Sequence, residues 1–451
     1  MHRPKLFGTD GIRGEANQYP MDGAFVFSVG QALACVLRNR NPHPRVVIGR
    51  DTRISGPMIE SALAAGIMSM GAAPLLVGVL PTPGVAFMTK RDRADAGIVI
   101  PASHNPYQDN GIKIFSGDGF KLSDSDEETI EELVLDKDLK TKRPASGNLG
   151  CSVPIGDAER RYIDFLKSTF SRDLSMKGMK IVLDTANGAT HKVAPEVFKE
   201  MGAMVHVLHN RPDGVNINDR CGSQHTQDLE KEVVTVGARI GLAFDGDGDR
   251  LIAVDEKGRR LTGDQILVIC AKVLKDQGSL KNNLLVTTIM SNLGLRMACK
   301  KHGFHHHASK VGDRYVLEEM RRLGGILGGE DSGHMIFLDH HTTGDGILAA
   351  LQLIEAMLRT DQPLSELAGW MEIYPQKLIN VAVKSKPDLS TLPEIAGVIA
   401  QAEEDLGEQG RVLVRYSGTE NLCRVMVEGP TEEITLKHCS KIADTVKSVL
   451  G

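Results

Sequence analysis

The sequence predicts an α/β chain: three α/β domains with mainly parallel, mixed sheets and a smaller C-terminal α+β domain around a central cleft. Three observations carry this reading. Short, nearly continuous apolar runs alternate with helical periodicity, as expected of parallel strands covered on both faces. The length, 451 residues, suits about three domains within a range of roughly two to four. After Tyr374-Pro375 the order changes to strand, helix, strand, strand, helix, which suits a small α+β unit.

The elements follow in order. Arg45-Val46-Val47-Ile48-Gly49 reads as a strand, and residues 57–70 as the helix after it. Residues 61–89 carry no charge, yet Pro74, Pro81 and Pro83 with four glycines cut them into pieces too short to span a bilayer, which needs about 20 apolar residues. They are read as the end of that helix, a strand over 74–79 and a loop. Ala96-Gly97-Ile98-Val99-Ile100 is a further strand, and residues 136–156 lack periodicity and read as a linker. Strands follow at 180–184, 204–207, 240–244, 251–254 and 284–288, with helices near 190–201 and 293–302. The resulting domains are 1–150, 151–256, 257–370 and 375–451.

Composition excludes several functions. The net charge is −5 and aromatics are 4%, so neither a polycationic surface nor a base-stacking platform is available for nucleic acid. Seven cysteines without a C-x-x-C pair suit a reduced, cytoplasmic protein better than a disulfide or zinc scaffold. Met1-His2-Arg3-Pro4-Lys5 leads into Asp10 and Arg13 without an apolar run, so no secretory signal and no membrane association are expected. Walker A and G-x-G-x-x-G patterns are absent, which removes the main support for nucleotide binding. His305-His306-His307 falls in a strand, where neighbours alternate faces, so at most two of them converge.

Five segments could carry chemistry. In Asp245-Gly246-Asp247-Gly248-Asp249-Arg250, three carboxylates repel one another unless a cation gathers them, and hard oxygen donors suit Mg²⁺ or Ca²⁺. An EF-hand competes, but Arg250 stands where that loop needs Gly, and the flanks read as strands. A solvated acidic turn is the plain alternative. Pro101-Ala102-Ser103-His104-Asn105-Pro106 follows a parallel strand, at the sheet edge where α/β enzymes hold ligands; by itself it reads more readily as a turn with satisfied side chains. Asp109-Asn110-Gly111 reads as another turn before Lys113.

Arg415-Tyr416-Ser417-Gly418-Thr419-Glu420, with Arg424 beyond it, combines a possible backbone anion nest with two guanidinium donors, or is a surface turn. Gly328-Gly329-Glu330-Asp331-Ser332-Gly333-His334 offers a carboxylate and a hydroxyl to a sugar and an imidazole as proton carrier, or is a glycine-rich turn. Phe7-Gly8-Thr9-Asp10-Gly11-Ile12-Arg13-Gly14 reads as a polar loop projecting Arg13, which could steady a transferring phosphoryl group.

In this order and spacing the five motifs resemble the α-D-phosphohexomutase superfamily over essentially the whole chain. Pro212-Asp213-Gly214-Val215-Asn216-Ile217-Asn218, Cys221-Gly222-Ser223 and Val311-Gly312-Asp313-Arg314-Tyr315-Val316 add to the resemblance, as does the ending Arg424-Val425-Met426-Val427-Glu428-Gly429. The resemblance implies Ser103 as the phosphoserine. It implies one Mg²⁺ per subunit on Asp245, Asp247, Asp249 and the Ser103 phosphoryl group. Arg13, Lys113 and Arg250 would neutralise charge there. His104 or His334 would relay the proton, with Lys113 a competing candidate. Glu330 and Ser332 would meet the sugar hydroxyls, and Arg415, Ser417, Gly418, Thr419 and Arg424 the phosphate that is not reacting.

The implied reaction interconverts glucosamine 6-phosphate and glucosamine 1-phosphate, with glucosamine 1,6-bisphosphate as intermediate and activator. Glucose or mannose phosphate, sugars with a 2-hydroxyl, are the alternative substrates. A hinge near 370–375 would let the last domain close, and a homodimer is the assembly implied. Tyr416, Asp331 and Asn421-Leu422-Cys423 depart from the family's usual residues, Asp331 by adding a negative charge near the sugar.

Overall fold

The computed structural model describes residues 6–8, 11–135, 139, 143–417 and 421–451. The chain forms two compact units, Met1–Ile289 with Phe304–Ala368, and Met290–Gly303 with Gly369–Gly451.

The first unit contains three sheets among the described residues. In the largest, the order is Ile12–Glu15, Asp109–Ser116, Ala96–Ile100, Arg45–Arg50, Ala73–Val79 and Val153–Pro154. The last four pair in parallel, whereas Asp109–Ser116 is antiparallel to both of its neighbours. A second sheet runs Leu251–Asp255, Ile240–Phe244, Lys180–Asp184, Met204–Leu208, and a third His305–Ser309, Leu284–Thr288, Leu327–Gly329, Met335–Phe337. Each keeps a parallel centre and ends in one antiparallel hairpin. Chain length accounts for the mixture: a few residues between strands permit only a hairpin, and a parallel return needs a crossover.

Several local expectations change. Residues 80–89 do not form one loop, because Thr82–Arg91 is a helix with Pro83 in its first turn. A proline there has no intrahelical N–H bond to lose, so it starts the helix instead of breaking it. Asp109-Asn110-Gly111 is not a turn but the start of the strand Asp109–Ser116, and residues 12–14 are strand where a loop was expected. Their alternation is short and mixed with glycine, so cross-strand pairing of Ile12 with Ile112 and Arg13 with Gly111 decides the conformation. Within the expected linker, Val153–Pro154 adds a short edge strand beside Leu75 and Leu76.

Helix Gly346–Thr360 ties the second and third sheets to the loop between Phe244 and Leu251. Its cap, Asp345, accepts from Ile347 N and Leu348 N at 3.0 Å each and from Tyr162 Oη at 2.7 Å. The first helical residue donates from Gly346 N to Gly248 O at 3.0 Å. A Cβ at Gly346 would sit 2.4 Å from Arg250 O, so only glycine lets the helix come this near.

The second unit has an antiparallel sheet, Gln376–Ala382, Leu422–Glu428, Arg411–Tyr416, backed by helices Pro393–Leu406 and Glu432–Leu450. Val381, Val425, Val427, Ile395, Ile442 and Val446 form its core. Helix Leu293–His302 also belongs here. Asn292 caps it through Gly294 N, and the same side chain exchanges hydrogen bonds with Tyr374 O and Tyr374 N at 3.0 Å each. Glu428 accepts from Leu293 N at 3.2 Å. The chain therefore passes between the units at 289–290, 303–304 and 368–369, not only near 370–375. No described helix is long and apolar enough to cross a membrane.

Burial raises Asp345 from 3.8 to about 6, against the helix N–H groups and Tyr162 that favour its charge. The folded state binds this proton more tightly than the unfolded state, so the contribution to stability is full below about pH 4 and is lost as pH rises through about 6. Asp345→Asn keeps a capping side chain and does not titrate. The Tm of wild type relative to this variant should fall as pH rises from about 4 to about 6, measured by thermal unfolding; a constant difference would contradict the shift.

Candidate active site

The first unit gathers functional side chains at the C-terminal ends of its parallel strands, the usual ligand edge of such sheets. Ser103 follows Ala96–Ile100 by three residues, and its φ is +46°, a left-handed conformation that costs a serine energy. Its surroundings hold it there. Arg53, fully buried, donates from Nη2 to Ser103 O at 3.2 Å and Asn105 O at 2.9 Å, and from Nη1 to Pro106 O. Asn218 Nδ2 donates to the same Ser103 O at 2.8 Å and Asn105 O at 3.0 Å. Arg53 is anchored by buried Asp51, 2.8 Å from its Nε.

The Ser103 hydroxyl, itself only 1% exposed, donates to Asp245 Oδ2 at 2.6 Å. His104 Nδ1 lies 3.4 Å from the same Oγ. Asp245, Asp247 and Asp249 are all buried, with one oxygen from each within 4.8 Å of the others. Glycine makes this convergence sterically feasible: a Cβ on Gly246 would lie 2.6 Å from Ser103 O. Lys113 Nζ sits 3.1 Å from Asp247 Oδ2 and 3.2 Å from Asp249 Oδ2, and Thr82 Oγ1 donates to Asp247 Oδ2 at 2.8 Å. Arg250 Nε lies 4.0 Å from Asp245 and 3.9 Å from Asp249.

Electrostatics separates the three carboxylates. Burial, and then the charges of Asp247 and Asp249, push Asp245 well above the usual carboxylate range. Burial acts in the same sense on Asp249, but Lys113 and His334 beside it hold that group well below the range. Asp247 Oδ1 and Asp249 Oδ1 are buried and make no hydrogen bond among the described residues. Buried anionic oxygens without donors are costly, and their arrangement fits a hard divalent cation. His104 is lowered by burial, Arg250 and Arg13, which puts Arg13 in the electrostatic environment of this cluster.

The hairpin joining Leu327–Gly329 to Met335–Phe337 carries the remaining groups of this unit. His334 Nδ1 is 3.6 Å from Asp249 and its Nε2 3.5 Å from Asp313. Burial opposes its protonation, but Asp249, Asp313 and Glu330 together raise it above the ordinary value. Glu330 accepts from Gly312 N at 3.1 Å, and Ser332 Oγ is buried without a hydrogen bond. Lys121 Nζ, 2.5 Å from Asp313, extends the charged network.

Arg415 and Arg424 lie in the second unit as directly opposed residues of Arg411–Tyr416 and Leu422–Glu428. Like charges directly opposite destabilise a strand pair, so an anion shared between them would relieve the repulsion. Lys386 Nζ donates to Ser417 O at 2.8 Å, adding a third cation beside this loop. Gly418 and Thr419 lie outside the described residues.

Ser103, His104, Lys113, Asp245, Asp247, Asp249, Arg250 and His334 thus share one cluster in the first unit. Sequence reasoning missed Asp51, Arg53, Thr82, Asn218, Asp313, Lys121 and Lys386 as members of these networks. The available signal for the first three was position, since they follow parallel strands ending at Arg50 and Val79. The others act through contacts distant in sequence.

Four family models cover the chain in order. They are described as phosphoglucomutase/phosphomannomutase alpha/beta/alpha domains I, II and III and the C-terminal domain, and they match residues 4–141, 160–258, 262–374 and 378–445. The chain belongs to the phosphoglucomutase/phosphomannomutase family. Among relatives of this family, the phosphoglucosamine mutase of Syntrophobacter fumaroxidans is 68% identical, covering 99% of each chain. That of Myxococcus xanthus is 52% identical over 99% of this chain and 98% of its own. A phosphoglucomutase/phosphomannomutase family protein of Burkholderia thailandensis shares the fold, with a TM-score of 0.81 at 23% identity over 99% of this chain and 98% of that one.

Replacing Arg53 by Met would leave Asp51 buried without its partner and remove three donors from the Ser103 loop. A broken buried pair costs roughly 3–5 kcal/mol. Arg53→Met should therefore lower Tm strongly, and the double variant Asp51→Leu/Arg53→Met should recover part of the loss. Thermal unfolding of the three proteins checks this; equal Tm for wild type and Arg53→Met would remove Arg53 from its bracing role.

Proposed function

We infer that the protein is an isomerase that interconverts glucosamine 6-phosphate and glucosamine 1-phosphate, using phosphorylated Ser103 and a 1,6-bisphosphate intermediate. The observation that carries the chemistry is the 2.6 Å contact between Ser103 Oγ and Asp245 inside a buried cluster of three carboxylates. Full-length relatives named phosphoglucosamine mutase, at 68% and 58% identity, support the 2-amino sugar as substrate over glucose or mannose phosphate.

Asp245, Asp247 and Asp249, with the phosphoryl oxygens on Ser103, would hold one Mg²⁺. When bound, the ion would neutralise negative charge on the phosphoryl group. The chain's own residues have distinct tasks. Arg53 and Asn218 hold the Ser103 backbone so that Oγ faces the carboxylates. Arg13, Lys113 and Arg250 add positive charge around the phosphoryl oxygens, which phosphoryl transfer requires more than covalent assistance.

The C1 hydroxyl of glucosamine 6-phosphate attacks phosphorus, the P–O bond to Ser103 breaks, and the hydroxyl proton passes to a nearby base. His104 is best placed for that proton, being beside Oγ and held below its ordinary pKa; His334 is already engaged with Asp249 and Asp313. The bisphosphate then turns over, and its 6-phosphate returns a phosphoryl group to Ser103, which releases glucosamine 1-phosphate. Glu330 and Ser332 serve the sugar hydroxyls in both poses. Arg415, Ser417, Gly418, Thr419 and Arg424 hold whichever phosphate is not reacting.

The segments 1–150, 151–256, 257–370 and 375–451 are the proposed functional domains, supplying the phosphoserine, metal, sugar and phosphate loops in turn. Glucosamine 1,6-bisphosphate would charge unmodified Ser103 and so act as activator. A cytoplasmic homodimer is the proposed working form, on the family resemblance.

The deciding assay incubates Mg²⁺-loaded protein and a trace of the bisphosphate with glucosamine 6-phosphate, glucose 1-phosphate or mannose 1-phosphate. Conversion should be fastest for glucosamine 6-phosphate, and intact mass should show a phosphorylated subpopulation. Ser103→Ala should abolish turnover yet still bind sugar phosphate by calorimetry; near-normal turnover would remove Ser103 as the phosphoryl carrier. Arg415→Ala should mainly raise KM, by the loss of charge-assisted bonds worth about 1.5–3 kcal/mol. An unchanged KM would place the distant phosphate elsewhere.

A further inference from the structure

Asp184, His209 and Cys221 form a second cluster of metal-ligating side chains in the first unit. Asp184 ends the strand Lys180–Asp184, His209 follows the neighbouring strand Met204–Leu208, and Cys221 lies in the segment after Asn218. One donor atom from each falls within 4.8 Å of the others. His209 Nδ1 is 3.0 Å from Asp184 Oδ2, and its Nε2 is 3.4 Å from Asp228 Oδ2. Asp184 and Cys221 are buried, while His209 is 26% and Asp228 67% exposed along the side chain, which leaves a route from solvent.

We propose that Asp184, His209 and Cys221 bind a thiophilic divalent cation of the zinc class, at a site separate from the three-carboxylate cluster. The donor set makes the choice. A thiolate, an imidazole and one carboxylate are borderline-to-soft ligands that suit zinc, whereas Mg²⁺ takes oxygen donors in an octahedron. Donors around a tetrahedral zinc lie roughly 3.3–3.8 Å apart, given bonds of about 2.0–2.3 Å. All pairs here lie within 4.8 Å, so closing to that spacing needs about an ångström of movement at most, within reach of side-chain rotation. Three protein ligands leave a fourth position for water, while Asp228 would accept from the other ring nitrogen, Nε2, and orient the imidazole.

The backbone around the cluster is already braced for such a load. Asp184 Oδ1 accepts from Ala186 N and Oδ2 from Gly222 N, at 2.9 Å each, which orients the carboxylate with the second lone pair of Oδ2 toward His209 Nδ1. Asn187 N donates to His209 O at 2.6 Å and fixes the histidine segment. The same loop reaches the catalytic groups: Ala189 N donates to Gly246 O at 2.8 Å, and Asn218 N to Ala186 O at 3.0 Å. A cation here would stiffen the loops that carry Asn218 and the Asp245 segment.

The test uses the full-length protein, stripped with a chelator and titrated with Co²⁺ and then Zn²⁺, each metal alone. Wild type should show a near-ultraviolet sulfur-to-cobalt charge-transfer band saturating at about one ion per chain, bleached by Zn²⁺. Cys221→Ser should lose the band, and Asp247→Asn should keep it. X-ray absorption at the zinc edge of the wild-type protein, which needs no variant to fold, should show one sulfur and the rest nitrogen or oxygen. Absence of a thiolate band in folded wild type, a band that survives Cys221→Ser, or an all-oxygen-and-nitrogen zinc shell would overturn the assignment. The cluster would then be an ion-pair brace only.

Discussion

Three carboxylates packed without exposure beside a serine hydroxyl set the terms for the rest of the first unit. Such a group is unstable by itself: each anion loses hydration, and each raises the others' cost of ionisation. The surrounding architecture supplies what offsets this. Lys113 comes from an antiparallel strand in the first sheet, Arg250 from the loop itself, Thr82 from a helix start and His334 from the third sheet. Three separate sheets must therefore be correctly placed before the cluster is tolerable, and two oxygens, Asp247 Oδ1 and Asp249 Oδ1, still lack donors among the described residues. In the proposed function a divalent cation completes the arrangement in electrostatic terms, and the same cluster would hold a phosphoryl group.

That constraint explains features with no direct contact to a substrate. Ser103 occupies a left-handed backbone conformation that serine rarely adopts, and the buried Asp51–Arg53 pair with Asn218 maintains it. Asp345, held by the Tyr162 hydroxyl, caps the helix whose first N–H reaches Gly248. Stability and function are connected here through positions, since each brace fixes a loop whose charged groups must not relax apart. The second unit faces a smaller version of the same problem, with Arg415 and Arg424 opposed across two strands and Lys386 nearby.

Local physics made much of this readable beforehand. The run Ile240–Phe244 is apolar throughout because both faces of its sheet are covered, and it is a strand over those residues. The Asp245–Asp249 spacing points to a cation because three neighbouring carboxylates repel one another unless a cation gathers them. By contrast, residues 80–89 read as loop because Pro81 and Pro83 break most helices, yet Pro83 lies in the first turn of helix Thr82–Arg91, where a helix accepts it. Asp109-Asn110-Gly111 reads as a turn because Asn-Gly favours one locally, yet pairing with Ile12–Glu15 overrides the preference.

By itself, the sequence determined the alternation of strands and helices, the family, and the loops that carry ionisable groups, because periodicity and motif spacing act over a few residues. The tertiary structure decided which of these groups meet. Arg53 against the Ser103 carbonyl, Lys113 between two aspartates and Asn292 against Tyr374 are contacts across 50 residues or more. It also assigned helix Leu293–His302 to the C-terminal unit, although its neighbouring strands lie in the other. Such choices depend on how separately formed sheets pack, and on buried polar groups finding partners, neither of which leaves a periodic trace along the chain.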